Sequence, residues 1–315
     1  MTHTYAVIMA GGVGSRFWPS SRERTPKQLL KILDSGTMIQ STVNRTQPLV
    51  PPANIFVVTN IVQYDAIVRQ LPFIPKENIL IEPVGRNTAP CIGLAALWVE
   101  KIDPEGIMIV LPADHLIQRE KEFIRIVNLA VSVAGESNGL LTIGIKPSHP
   151  ETGYGYIQYS DDDANNPYKG RGVFRVRAFA EKPNLETAER FLKSGDFLWN
   201  SGMFVWKASS ILREIETHLP DLHEQFMKIK PGIGGQGYKQ SVEHAYGLIR
   251  GISIDYGVME KATNVFVVKG DFGWSDVGSW DEVVRLGTSN QEGNTTKGKV
   301  IARSSKNNYI DAGNK

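Results

Sequence analysis

The sequence predicts an α/β fold with three layers, in which helices cover both faces of a mixed, mainly parallel sheet that carries an antiparallel hairpin insertion. Apolar runs rich in Val and Ile alternate with helical patterns in the first half of the chain, and this alternation is typical of a buried parallel sheet. After residue 150 the pattern changes to a period of two, which predicts antiparallel strands.

In the first half, the patterns predict strands at 5–9, 54–59, 79–81, 106–111 and 140–145 and helices at 37–47, 62–70, 88–101 and 119–135. Thr88 fits the N-cap of the third helix, because Pro90 then falls in its first turn. In the second half, YGYIQY (154–159) and VFRVRAFA (173–180) flank a turn-rich connector and predict the hairpin. Amphipathic helices are expected at 184–194 and 208–228, and a glycine-rich loop at 231–237.

Composition excludes several classes of protein. The net charge is +2, from 35 basic and 33 acidic residues, and no basic face is evident, so a nucleic-acid-binding protein is not indicated. The longest apolar run, around Ile107–Leu111, is far shorter than a membrane span. Cys91 is the only cysteine, and the N-terminus lacks a signal-peptide pattern. These features predict a cytoplasmic protein without a membrane partner.

A glycine-dense turn follows the first predicted strand and suits the binding of phosphate groups. Gly11, Gly12 and Gly14 allow the backbone N–H groups to approach a phosphate. Arg16 offers a planar guanidinium and Lys27 a mobile point charge. The stretch is neither a dinucleotide fingerprint nor a Walker A loop, because its glycine spacing differs from both. The alternative interpretation is an ordinary glycine turn that joins a strand to the next segment.

Those residues also carry a resemblance to a known family. GGVGSRFWPSSRERTPKQ is similar to the N-terminal motif of sugar-1-phosphate nucleotidyltransferases, and Trp18-Pro19 with Pro26-Lys27-Gln28 resembles the mannose-1-phosphate guanylyltransferase branch. Further motifs follow in the family order, over roughly residues 5–285: IEPVGRNTAPCIGLAA (81–96), LPADH (111–115), FAEKP (179–183), WNSGMFVW (199–206), SIDYGVMEK (253–261) and GWSDVGSW (273–280).

The resemblance implies a Rossmann-like nucleotide-diphospho-sugar transferase fold. Its catalytic domain would span 1–286, with a nucleotide half at about 1–145 and a sugar-phosphate half at about 146–286. The polar stretch 287–315 would be the start of a truncated C-terminal segment. The implied reaction transfers GMP from GTP to mannose 1-phosphate and yields GDP-mannose and pyrophosphate. A homodimer is left open.

Two aspartates are candidates for binding Mg²⁺. Asp114 follows the strand 106–111, and ligands of open α/β sheets bind at the carboxyl ends of strands. Asp276 is the second candidate, since Mg²⁺ favours one or two carboxylates together with phosphates and water. Each residue could instead be a helix N-cap. The family resemblance assigns metal binding to both.

Glu82 is the candidate for reading the base. The Watson–Crick edge of guanine presents two adjacent donors, and a carboxylate accepts from both. Similar enzymes that use thymine or uracil tend to carry glutamine there. Arg86, Asn87 and Thr88 lie at a helix N-terminus, which favours anions and polar base or ribose contacts. The full nucleotide-binding set is Ala10, Gly11, Gly12, Gly14, Ser15, Glu82, Arg86, Asn87, Thr88 and Ala89, with Arg16 and Lys27 as catalytic residues.

The resemblance also implies a sugar-phosphate site. Lys182 would neutralise the phosphate, and Glu181 and Asn200 would bind sugar hydroxyls, although an adjacent Glu-Lys pair is commonly a solvated edge. Asp255 could equally be an N-cap. The set is Gly155, Glu181, Lys182, Asn200, Gly202 and Asp255.

Two other functions remain as alternatives. One is a glucose-1-phosphate thymidylyl- or uridylyltransferase, against which the RNTAP and WP…PKQ motifs weigh. The other is a non-catalytic nucleotide-sugar sensor, which would be expected to lack Lys27, Asp114 or Asp276; all three are present.

Overall fold

The computed structural model describes residues 3–12, 14–33 and 36–313. Within them, nine strands form a central sheet: β1 (Thr4–Met9), β2 (Ile55–Asn60), β3 (Ile79–Glu82), β4 (Ile107–Pro112), β6 (Leu140–Ile145), β7 (Gly155–Ser160), β8 (Val173–Glu181), β9 (Phe197–Lys207) and β10 (Val265–Gly270). Their order across the sheet is β3-β2-β1-β4-β9-β6-β10-β8-β7. Two small sheets pair β5 (Leu116–Ile117) with β11 (Trp274–Ser275) and β12 (Thr295–Lys297) with β13 (Tyr309–Asp311).

The strands of the first half form the parallel part of the sheet. β1 lies between β2 and β4 and pairs in parallel with both, with Ala6 opposite Ile55 and Ile109. β3 continues the parallel order at the edge. Consecutive side chains on these strands point to opposite faces, and both faces are buried, which is why the strands are continuously apolar.

The second half is largely antiparallel. β9 runs antiparallel to both β4 and β6, whereas β6 and β10 are parallel. The predicted hairpin pairs as β7 and β8, and it is incorporated into the central sheet, because β8 also pairs with β10 and β7 with β9. The strands β9, β6, β10, β8 and β7 therefore close on themselves, and parallel pairing predominates only in the first half.

Helices cover both faces of the sheet, as the three-layer prediction requires. They are α1 (Met38–Thr46), α2 (Ile61–Gln70), α3 (Thr88–Ile102), α4 (Glu120–Glu136), α5 (Leu185–Ser194), α6 (Ala208–His218), α7 (Pro220–Ile229), α8 (Tyr238–Leu248) and α9 (Trp280–Leu286). One hydrophobic core lies beneath α1, α2 and α4, and a second lies beneath α3, α6, α7 and α8.

Two predictions about helices were wrong. The single helix expected at 208–228 is divided into α6 and α7, because Pro220 cannot continue a helix and instead starts the second one. The N-cap of α3 is Asn87, not Thr88: the Asn87 side chain accepts a hydrogen bond from the Thr88 N–H at 2.8 Å. Asn87 adopts φ +70 and ψ −170, a backbone conformation that is strained for any residue other than glycine.

Candidate active site

A cleft of about 530 Å³ lies across the carboxyl ends of the parallel strands and extends to the closed half of the sheet. This is the edge at which open α/β sheets bind ligands. The cleft is lined from one end to the other by Gly11, Gly12, Glu82, Gly85, Asn87 and Thr88, then by Pro112, His115, Trp274 and Asp276, and then by Tyr154, Gly155, Glu181, Asn200, Gly202 and Asp255.

Glu82 occupies the first end of the cleft as the last residue of β3. Only 4 % of Glu82 is exposed, and within the described part of the chain its Oε1 has no hydrogen-bond partner. Burial raises the pKa of the carboxyl to about 7, although a hydrogen bond with Tyr246 opposes the shift. A methyl group on Gly11 would lie 3.4 Å from Oε2. A buried carboxylate with an unpaired oxygen is costly unless a ligand supplies donors.

The first turn of α3 is not free to bind an anion. The Thr88 N–H donates to Asn87, the Ala89 N–H donates to the carbonyl of Ile252 at 3.1 Å, and Pro90 has no N–H. Arg86 and Ala89 do not line the cleft; the Arg86 Nε donates to the carbonyl of Tyr246 at 3.1 Å. The anion-binding part of the prediction for this helix is therefore unsupported, and Asn87 and Thr88 remain as polar groups facing the cleft.

Side chains from outside the glycine turn hold it in place. The Gln28 Nε2 donates to the carbonyls of Ala10 and Gly12 at 3.1 and 2.9 Å, and the Gln63 Nε2 donates to Gly12 at 3.1 Å. Gln63 lies on α2, and nothing in the local sequence marks it as part of the turn. Ala10 is buried and does not line the cleft. Val13 falls outside the described residues.

Lys27 is almost fully buried and, like Asp114 and Arg16, does not line the cleft, but it contacts Asp276, which does. Its Nζ donates to Oδ2 of Asp114 at 2.8 Å and to the backbone carbonyl of Asp276. Gly14 permits this placement: its φ is +63, and a methyl group there would lie 2.6 Å from the Lys27 Cβ. Although burial alone would raise the pKa of Asp114, the charges of Lys27 and His115 lower it below its usual value.

Arg16 and Asp276 both lie close to Gly278. A Cβ built on Gly278 would lie 3.2 Å from Oδ1 of Asp276 and 3.5 Å from a terminal nitrogen of Arg16. Ser15 and Arg16 belong to a single 3-10 turn and are not buried. Asp276 is not an N-cap, since Ser279 caps α9. Lys27 contacts both aspartates, Asp114 through its carboxylate and Asp276 through its backbone carbonyl.

Sequence reasoning missed Tyr154, which orients Asp276. The Tyr154 hydroxyl donates to Oδ1 of Asp276 at 2.7 Å, and its ring packs edge-on against Trp199 and Trp274. Trp274 in turn donates from Nε1 to Nδ1 of His115 at 3.1 Å. Burial lowers the pKa of His115 to about 4. The sequence signal that could have identified Tyr154 is its position immediately before Gly155, a glycine of the predicted sugar-phosphate site.

The far end of the cleft is a cluster of fixed polar groups. Asn200 donates from Nδ2 to Oδ1 of Asp255 at 2.7 Å and accepts from the Gly202 N–H at 3.0 Å. Burial raises the pKa of Asp255 to about 6, and the charge of Glu181 adds to the effect. A methyl group on Gly155 would lie 2.5 Å from Oε2 of Glu181. The local structure at Asp255 is a π-helical turn (Asp255–Met259).

Lys182 differs from its predicted position. Its Nζ pairs with the Glu181 carboxylate, its side chain is mostly exposed, and it does not line the cleft. Its φ is +47. A role for Lys182 in neutralising a phosphate therefore requires its side chain to leave Glu181.

Comparison with known proteins identifies the family. The model of the nucleotidyl transferase family matches residues 5–292, and the chain belongs to this family. It is 39 % identical to mannose-1-phosphate guanylyltransferase of Escherichia coli, with 96 % of this chain and 66 % of that protein covered. The corresponding protein of E. coli K12 is 40 % identical, with 98 % and 65 % covered. This chain thus spans slightly less than two thirds of these relatives.

A solved structure is also similar over nearly the whole chain. It is described as mannose-1-phosphate geranyltransferase from Thermus thermophilus, is 33 % identical, and superposes with a TM-score of 0.82 over 94 % of this chain and 83 % of that one. The similarity confirms the predicted nucleotide-diphospho-sugar transferase architecture.

Two structural features are absent from the described residues. In that part of the chain, no helix is long and apolar enough to cross a membrane. Nor do three or more His, Cys, Asp or Glu side chains there gather into a metal-binding group.

Proposed function

We propose that this chain transfers GMP from GTP to α-D-mannose 1-phosphate, yielding GDP-mannose and pyrophosphate. The observation that carries the proposal is the arrangement of the cleft: the unpaired Glu82 oxygen at one end, Lys27 with two aspartates at the centre, and the Asn200–Asp255 cluster at the other. The relatives named above carry the corresponding activity in their names. The proposed catalytic unit is 1–286, with halves at 1–145 and 146–286, in a cytoplasmic protein.

Glu82 is proposed to select guanine. Its ionised carboxylate accepts hydrogen bonds from the N1–H and the 2-amino group of the base, which supplies the partners that Oε1 lacks. Uracil and thymine present one N–H between two carbonyls, so they leave the carboxylate facing an acceptor. Such a mismatch costs on the order of 1–3 kcal/mol.

The central residues are proposed to position and stabilise the phosphates. The sugar phosphate is already a competent nucleophile, and its oxygen forms the new bond to the α-phosphorus while the bond to the pyrophosphate oxygen breaks. Lys27 leaves Asp114 to neutralise charge on the α-phosphoryl oxygens, and Arg16 with the Gly11–Gly12 backbone binds the outer phosphates. Catalysis then rests on positioning and electrostatics.

Asp114 and Asp276 are proposed to hold Mg²⁺. Nucleotidyl transferases generally use a divalent metal, and the donors here are carboxylate oxygens, which Mg²⁺ prefers. Their fit to a cation is supported by the Lys27 ammonium, which contacts Asp114 and the carbonyl of Asp276. The bound ion would neutralise phosphate charge shared by the two substrates.

The test measures pyrophosphate release from matched substrate pairs. GTP with mannose 1-phosphate should exceed UTP or dTTP with glucose 1-phosphate in kcat/KM by at least ~10-fold. Binding of GTP without pyrophosphate release would favour the sensor instead, and a preference for UTP or dTTP would favour the thymidylyl- or uridylyltransferase.

Glu82→Gln tests the base-reading role separately. The ratio of kcat/KM for GTP over UTP should fall ~10-fold or more, while the KM for mannose 1-phosphate stays within about twofold. Glu77→Gln is the matched control, because Glu77 is an exposed carboxylate close to β3. If activity with every nucleotide falls equally, Glu82 does not read the base.

A further inference from the structure

Helix α9, at the end of the proposed catalytic unit, contacts the loop that carries Arg16. Phe17, the residue after Arg16, is 1 % exposed, and its ring lies 5.0 Å from that of Trp280 on α9. The Trp280 Nε1 also donates to the carbonyl of Trp18 at 3.4 Å. The Arg16 turn is therefore held to α9 by ring packing on one residue and a hydrogen bond to the next.

The same cluster fixes the backbone beside Asp276. Val277 is fully buried with Phe17, and its φ is +47. A β-branched residue persists in this conformation only where its surroundings fix it. The peptide bond that joins Asp276 to Val277 contains the Asp276 carbonyl, which accepts a hydrogen bond from Lys27. The packing of this cluster therefore constrains the backbone beside both Arg16 and Asp276.

Tyr309 completes the cluster from far along the chain. It belongs to β13, and its ring lies 5.3 Å from Trp280. The small β12–β13 sheet also contacts the N-terminal region, because Lys297 donates from Nζ to the carbonyl of Lys31. Within the small sheet, Lys297 pairs with Asp311 at 3.4 Å. We call the three packed rings of Phe17, Trp280 and Tyr309 the aromatic column.

We propose that Trp280 and Tyr309 are positioning residues that hold the phosphate-binding turn in the geometry needed for the nucleotide. The kinetic part of this inference rests on the proposed function. Removing the Tyr309 ring uncovers one face of Trp280, which gains conformational freedom and releases Phe17. The Arg16 turn must then be ordered by the nucleotide, at the expense of binding. The hydrogen bonds that fix Asn200 and Asp255 involve none of the three rings, so the sugar end is expected to be unaffected.

The experiment compares Tyr309→Ala with Ile301→Ala. Ile301 lies in the same segment and is 89 % exposed, so its truncation controls for changes to the segment alone. For Tyr309→Ala we expect the KM for GTP to rise ~3–10-fold and the KM for mannose 1-phosphate to stay within about twofold, with rescue by Tyr309→Phe. An unchanged KM for GTP overturns the proposal.

A second readout does not require activity. Arg22 and Arg24 are exposed in the stretch that follows the Arg16 turn, so trypsin cleavage after them, followed by mass spectrometry, reports loosening of this region. Tyr309→Ala should be cleaved there ~3-fold or more faster than the wild type and Ile301→Ala. Equal cleavage of all three overturns the proposal. An inactive wild type with the expected cleavage difference would instead refute the proposed function alone.

Trp280→Phe covers the case in which Tyr309→Ala does not fold. It keeps a ring in the column and removes the Nε1–H that donates to Trp18. The same increases in the KM for GTP and in cleavage are expected, at a smaller size, and wild-type values for both would overturn the proposal.

Discussion

At the scale of single residues, the site is organised around one buried cation. Lys27 contacts both proposed metal-binding residues in the structure, through the carboxylate of Asp114 and the backbone carbonyl of Asp276, and in the proposed mechanism it exchanges the Asp114 carboxylate for a phosphate. A lysine ammonium can exchange partners in this way because it is a point charge on a flexible stem. The residue is therefore expected to act on the transition state more than on substrate binding.

Lys27→Ala should lower kcat by ~100-fold or more, with a smaller effect on the KM for either substrate, because it removes a cation acting on charge that develops during the reaction. Steady-state kinetics measure this. Lys31→Ala removes an exposed ammonium nearby and should behave as the wild type. An effect of Lys27→Ala confined to KM would contradict the role.

Asp114→Asn and Asp276→Asn should each raise the Mg²⁺ concentration needed for half-maximal rate. If both carboxylates hold one ion, the double variant should show much less than the sum of the two effects on free energy. Titration of activity with Mg²⁺ gives the comparison, with the exposed Asp161→Asn as control. An unaltered metal requirement in both single variants would exclude the assignment.

At the scale of elements, the glycine turn determines where Lys27 lies. Gly14 has a φ of +63, and it packs directly against the backbone and Cβ of Lys27. The turn is further bound by Gln28 and Gln63, whose amides satisfy its carbonyls. Its shape is thus set by contacts with the segment around Lys27 and with α2.

Gly14→Ala should reduce kcat/KM for GTP ~10-fold or more, because the new methyl group, 2.6 Å from the Lys27 Cβ, must displace that residue. Gly172→Ala is the control, since Gly172 has φ +79 but open space around its Cβ. Both variants should lose on the order of 1 kcal/mol of stability from the backbone conformation. Equal kinetics in the two would show that the close approach to Lys27 is unimportant.

At the scale of the whole molecule, Glu82 makes stability depend on pH. Its pKa is about 7 in the folded chain against a usual value of 4.5. Between these values the unfolded chain releases the proton and the folded chain retains it, so stability falls as pH rises from about 4.5 to about 7. The full penalty is on the order of 3 kcal/mol and persists above pH 7. A carboxylate buried in this way lowers the stability of the fold.

Glu82→Gln should therefore stabilise the chain more at pH 8 than at pH 5, by about 2 kcal/mol, because the amide does not ionise. Urea unfolding at the two pH values measures the difference. Glu77→Gln, at an exposed carboxylate, should show no such dependence. A Glu82→Gln gain that is the same at both pH values would mean that Glu82 is ionised normally.

Much of this architecture could be predicted from local sequence. The first-half strands, their helices and the hairpin pairing follow from periodicity, which is set by burial of each element. The glycine turn, Glu82 and Asp114 could be located because each follows a predicted strand. Neither the closure of β7 onto β9 nor α8 was predicted, since closure depends on register between distant strands and α8 has weak amphipathic patterning.

What the sequence determined by itself is which elements form and which chemical groups stand at their ends. Only the tertiary structure decided which of those groups meet. Lys27 contacts Asp114 and Asp276, which lie 87 and 249 positions away along the chain. The N–H groups at the start of α3 donate to Asn87 and to the distant Ile252. Tyr154, Gln63 and Tyr309 likewise act through contacts with residues remote in sequence. Local pattern carries no record of such contacts, because they are fixed by the packing of whole elements against one another.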